Sequence, residues 1–132
     1  MGVTGLSYNS DKKILATCSD DSTWKLWSIP NGDLIMSGEG HEDWASGVSF
    51  HPDHQFLATS SGDGTVKVWD ILQAKCAITY NEHPQSVWSV DFNHSGDFIL
   101  SASMDQTIKL WDLNLQKSRF TFRGHVDSVN MA

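Results

Sequence analysis

Three histidines, His41, His83 and His125, lie a constant 42 residues apart, and Asp21, Asp63 and Asp105 keep the same step. Hydroxyls precede the second and third of these aspartates: Thr59 and Ser61 before Asp63, Ser101 and Ser103 before Asp105. A hydroxyl, an imidazole and a carboxylate are the parts of a hydrolytic triad, in which the imidazole takes the hydroxyl proton and the carboxylate orients the imidazole. Two observations argue against that chemistry. The set recurs along the chain, whereas a catalytic site is built once. The G-x-S-x-G turn that exposes a nucleophilic serine is also missing. His51-Pro52-Asp53-His54 offers two imidazoles and a carboxylate, but a metal needs three or four converging ligands, and Pro and Asp are ordinary turn residues. Asp20-Asp21-Ser22 lacks the twelve-residue calcium loop, and Gly5, Gly47 and Gly64 form no phosphate-cradling loop. The sequence predicts no catalytic residue, no metal and no cofactor.

The elements that must position these residues are short strands. Ser61-Gly62-Asp63-Gly64 reads as a tight turn, because Asp-Gly tolerates positive φ, and Thr65–Asp70 alternates as a half-buried strand does. The same stretch recurs around Trp27 and Trp111, 42 residues either side of Trp69. Tyr8, Phe50 and Phe92 hold that step too. With its Gly-His and Trp-Asp marks, this period resembles the WD repeat, in which each period builds one four-stranded blade of a β-propeller. The resemblance covers essentially the whole chain. It implies an all-β WD40 β-propeller segment of three four-stranded antiparallel blades plus one extra inner strand. The blades fall at about 1–40, 41–82 and 83–124, and 125–132 starts a further one. Expected strands are 3–8, 13–19, 23–27 and 34–37 in the first blade; 46–50, 56–60, 65–70 and 76–80 in the second; 87–92, 98–103, 107–112 and 119–122 in the third. Ser128–Met131 is expected as the extra inner strand.

The resemblance also implies what the recurrent polar residues do. Within each WD blade a His before the first strand, a Ser or Thr on the second, an Asp in the following turn and a Trp on the third form a buried hydrogen-bonded set. Carried over, blade two uses His41, Thr59, Asp63 and Trp69, and blade three His83, Ser101, Asp105 and Trp111. Ser61 and Ser103, two residues on, are open alternatives for the hydroxyl. Thr17, Asp21 and Trp27 have no preceding histidine, and His125 has no later partners. Propellers usually close with four to eight blades. The chain is therefore expected to be part of a larger propeller, with self-association as the alternative.

Net charge at neutral pH is −7, which disfavours nucleic-acid binding and is compatible with a basic protein partner. No stretch has the length and apolarity of a membrane span, and the two cysteines, Cys18 and Cys76, lie in different blades, as reduced cytoplasmic thiols would. In WD proteins partners often bind the face made by the loops that enter each blade and by the second turn of each blade. Trp44, Ser46, Trp88, Met104 and Asn130 fall at positions expected there, with packing between blades as the competing role for the tryptophans. A narrower resemblance rests on Ala16–Pro30, on Gly38–Trp44 and on His125–Asn130. These stretches resemble the C-terminal WD region of the sperm-associated-antigen family of the ciliary central apparatus. It implies a non-enzymatic protein–protein scaffold in the axoneme of cilia or flagella, with central-pair microtubule-associated proteins as partners. Glu82-His83 departs from the Gly-His mark, and the family's N-terminal coiled coil is absent. The alternative function is a WD adaptor of a ubiquitin-ligase or chromatin complex.

Overall fold

A computed structural model describes residues 1–132 as three four-stranded antiparallel sheets, with no helix. The first holds β1 (Val3–Asn9), β2 (Ile14–Ser19), β3 (Trp24–Ser28) and β4 (Leu34–Gly38). The second holds β5 (Ala45–Phe50), β6 (Phe56–Ser61), β7 (Val66–Asp70) and β8 (Lys75–Tyr80). The third holds β9 (Val87–Phe92), β10 (Phe98–Ser103), β11 (Thr107–Asp112) and β12 (Lys117–Arg123). Each sheet runs in chain order, so every connection is a hairpin.

Turn chemistry fixes this register. The second turn of each sheet places Ser22, Gly64 and Gln106 at left-handed φ of 70°, 83° and 71°. The aspartate one residue earlier holds the turn by accepting the backbone N–H of Thr23, Thr65 or Thr107 at 2.8–3.0 Å. At Gly64 a side chain would also clash, because a Cβ there would lie 2.9 Å from the His83 carbonyl. A bulge recurs just before Trp27, Trp69 and Trp111, where the third strand slips against the fourth. Such a bulge re-aims the following side chain.

Neighbouring sheets stack through the same two faces. Ala16, Cys18, Trp24 and Leu26 of the first sheet meet Leu57 and Trp69 of the second. The equivalent Ala58, Val66 and Val68 then meet Ile99 and Trp111 of the third. The joints conserve volume by exchange across a strand pair. Trp24 faces Gly38, whereas Val66 faces Tyr80. A Cβ on Gly38 would lie 2.2 Å from the Trp24 ring, so the large residue on β3 needs the bare position on β4. Tyr80 instead stacks on Trp111 at 4.7 Å and donates its hydroxyl to the Asp112 carbonyl at 3.2 Å. Burial, and then the Asp112 charge, push that phenol up to about 12. Burying a side chain such as Leu57 stabilises by about 1.5–3 kcal/mol. The outward faces of the first and third sheets keep Val3 and Leu6, and Phe120 and Phe122, exposed.

Two expectations need correction. Ser128–Met131 is not a strand. Val129 is buried against the third sheet and its N–H reaches the Ser103 carbonyl at 2.9 Å, but no second strand continues that ladder. A lone bond does not make a strand. The outer strand β12 also runs from Lys117 to Arg123, longer than the expected 119–122.

Candidate functional site

The loops entering β5 and β9 carry His41 and His83 under the second turns of their sheets. His41 Nδ1 lies 3.0 Å from Asp63 Oδ2, and its Nε2 lies 2.6 Å from Thr59 Oγ1. The indole N–H of Trp69 donates to the same hydroxyl at 2.8 Å. In the third sheet His83 reaches Asp105 at 2.6 Å and Ser101 at 2.8 Å, and Trp111 donates to Ser101 at 2.8 Å. One protonation pattern satisfies every atom. The imidazole carries its proton on Nδ1 and donates that N–H to the carboxylate, the hydroxyl donates to Nε2, and the indole donates to the hydroxyl oxygen. Ser61 and Ser103 do something else. Their hydroxyls donate to the carbonyls of Asp43 and Ser86, at 3.1 and 2.8 Å, and so tie the entering loop to the strand.

This geometry opposes nucleophilic chemistry. Thr59 and Ser101 are fully buried, and each hydroxyl is closed off by an indole. Burial alone would push the Asp63 carboxyl up, yet hydrogen bonds from His41, Thr65 and the Glu42 backbone outweigh it and hold the group below the usual carboxylate range. Asp105 is likewise held down against burial by Thr107 and His83. Burial pushes the His83 imidazole down, against the pull of Asp105. Thr65 and Thr107 lie outside the expected set, yet each donates its hydroxyl to the turn aspartate, at 2.6 and 2.5 Å. Their shared step of 42 with Thr23 was the available signal. Glu82, standing where blade two has Gly40, accepts the backbone N–H of Ser118 at 3.2 Å and also its hydroxyl. In the first sheet, which has no histidine, Trp27 donates to Thr17 at 2.9 Å and Thr23 to Asp21 at 2.6 Å, but nothing links the two pairs and Asp21 is exposed.

The expected interaction residues divide. Trp44 and Trp88 meet across the joint between the second and third sheets, with ring centroids 4.9 Å apart and planes at 35°. Both remain half-buried. Gly62 makes room for Trp44, since a Cβ there would lie 2.4 Å from the ring. Met104, at the position equivalent to Gly62, is 49 % exposed. Ser46 is committed to the joint: its hydroxyl donates to the Val87 carbonyl at 2.5 Å and lies 2.8 Å from that of Ser60. Asn130 is exposed and accepts the Ser128 hydroxyl at 2.6 Å. Ser46, Trp88 and Asn130 share a concave groove of about 480 Å3, floored by the first strands of the three sheets. Asp91, which the sequence did not single out, lines it too and accepts from Ser49 at 2.8 Å. The two turn histidines diverge: His54 pairs with Asp11 at 3.2 Å, and His51 Nε2 faces the Gly96 carbonyl at 3.0 Å. No group of three or more His, Cys, Asp or Glu side chains converges as a metal site would.

Comparison with known proteins matches the family "WD domain, G-beta repeat" at residues 1–28, 32–70 and 74–112. The span 32–70 contains β4 and β5–β7, so a matched repeat joins the outer strand of one sheet to the inner three of the next. The chain is 56 % identical over 43 residues to the flagellar WD repeat-containing protein Pf20 of Chlamydomonas reinhardtii, a third of this chain and 7 % of that protein. It is 47 % identical over 32 residues to sperm-associated antigen 16 protein of Mus musculus, 24 % of this chain and 5 % of that protein. For the Homo sapiens protein of the same name the figures are 43 % over 44 residues, 33 % of this chain and 7 % of the protein. The matched stretches are thus a small part of these relatives. Repeats of this family generally serve as non-enzymatic platforms for protein–protein interaction. With three matched repeats and three meander sheets stacked through equivalent faces, the chain belongs to the WD-repeat family.

Proposed function

We propose that this chain is a protein-binding platform of the axoneme in motile cilia or flagella, with a partner seated on the face that bears Trp44, Trp88 and Met104. The observation that carries the axonemal reading is the 56 % identity over 43 residues to a flagellar WD-repeat protein, supported by the two sperm-associated relatives. The sheets act as blades at about 1–40, 41–82 and 83–124, and the polar sets act as braces that hold each entering loop to its turn. Trp is enriched at interface hot spots because one side chain supplies a large rigid area, and a half-buried pair is already ordered before a partner arrives. Nothing in the site supplies an activated nucleophile. The test is expression of the fluorescently tagged chain in multiciliated cells. Enrichment along the axoneme supports the reading; a signal spread evenly through the cell body, with the protein folded and abundant, overturns it.

A further inference from the structure

Charge is arranged unevenly around the tryptophan pair. No Lys or Arg occurs between residues 39 and 66, nor in the segments 20–23, 81–86 and 104–106 of this face; the cations at its margin are Arg123, across the strands from Thr107, and Lys109, 3.9 Å from Glu82. Exposed carboxylates do occur there: Asp20, Asp21, Glu39, Glu42, Asp43 and Glu82. Lys12, Lys13, Lys75 and Lys117 lie at the opposite ends of the strands. The groove continues the asymmetry. No Lys, Arg or His lines it, while Asp91 is exposed in its wall with Ser49 as its side-chain donor. Trp88 and Asp91, both on β9, line the same groove, so one cavity offers an indole and a carboxylate.

We propose that this face recognises an arginine- or lysine-bearing segment of a partner protein, one basic side chain of which enters the groove past Trp88 toward Asp91. The inference rests on the platform reading above and names the chemistry of the partner. An aromatic face attracts a cation through its quadrupole, most strongly where water is thinned, as in a groove. Low-dielectric walls lined by one sign of charge focus the field and raise the local concentration of the opposite charge. An acidic segment would meet like charge over most of this face. A purely apolar one would cover these carboxylates without offering them a countercharge.

The experiment titrates the purified chain with a short Gly-Arg repeat peptide and with its Gly-Glu counterpart, read by tryptophan fluorescence and calorimetry. The Gly-Arg peptide is expected to bind, more weakly as salt rises, and the Gly-Glu peptide not to bind. Asp91→Asn, an exposed change, and Trp88→Leu are each expected to weaken the complex about tenfold, the scale of one cation–π or charge contact. Circular dichroism checks that both variants fold; should Trp88→Leu fail to fold, Asp91→Asn carries the test alone. Equal binding of both peptides, or Gly-Arg binding indifferent to Asp91→Asn, overturns the inference, because a polycation held loosely by surface acids would ignore that position. If axonemal enrichment persists while the Gly-Arg peptide fails to bind, the platform reading stands and the basic partner falls.

Discussion

Replacing Thr59 by valine removes one hydroxyl and almost no volume, and so isolates the braces from the packing. Thr59 is fully buried, and its oxygen serves two neighbours, the Trp69 indole at 2.8 Å and the His41 imidazole at 2.6 Å. The His41 side chain is fully buried as well, so water cannot replace the lost partner. Two buried polar atoms are left unpaired. Each costs about 1–3 kcal/mol, so the loss is about 2–6 kcal/mol, a large part of the 5–15 kcal/mol that holds a typical domain folded. Thr59→Ser is the control. It keeps the hydroxyl and deletes a methyl, at about 1 kcal/mol. Urea unfolding followed by tryptophan fluorescence measures both. With a slope of roughly 2 kcal/mol/M, the valine variant should unfold about 1–3 M earlier than the parent and well before the serine variant. If valine proves no worse than serine, packing carries this position and the argument for braces fails.

Three further outcomes follow from the same geometry. Stability should fall with acid in two stages. His83 is lowered in the folded state, so the unfolded chain takes up its proton first and stability drops as pH falls below about 6.5; Asp63 and Asp105 are also lowered, so their contribution is present above about 3.8 and lost beneath it. Thermal melts across pH 3–8 check the sign, and a chain that gains stability on acidification contradicts it. Gly64→Ala should cost at least about 1 kcal/mol, since φ is +83° and the new Cβ would press on the His83 carbonyl at 2.9 Å; urea midpoints measure it. Gly62→Ala should displace Trp44 from Trp88 and change the near-ultraviolet circular dichroism of the pair, while Asp63 and His41 keep their bond; an unchanged spectrum means that Trp44 is not seated as described.

Much of the fold was legible because a step of 42 was carried by residues of unrelated chemistry. The bounds of β9, β10 and β11 match the expectation residue for residue, and the inner strands of the other two sheets differ from it by no more than one residue at either end. The outer strand β12 outruns its sequence signal because most of its side chains are exposed and give no burial alternation. The register alone predicts a strand at Ser128–Met131, but a strand exists only where another pairs with it. The choice between Thr59 and Ser61 could not be made from sequence. Residues two apart point to the same side of a strand, and only the distance to the imidazole separates them. Trp24 was visible as an odd second tryptophan, but its compensation by Gly38 is a cross-strand fact. Asp91 gave no signal, because in the other two blades its position holds Ser7 and Ser49.

If the Trp44–Trp88 face engages an axonemal partner, the chain must bind axonemes through those two indoles. The most direct measurement is co-sedimentation of the purified chain with demembranated axonemes, comparing the parent with a Trp44→Ala, Trp88→Ala double variant shown by circular dichroism to be folded. The parent is expected to pellet saturably and the double variant to stay largely in the supernatant. Equal pelleting of the two, or no pelleting of a folded parent, would contradict it.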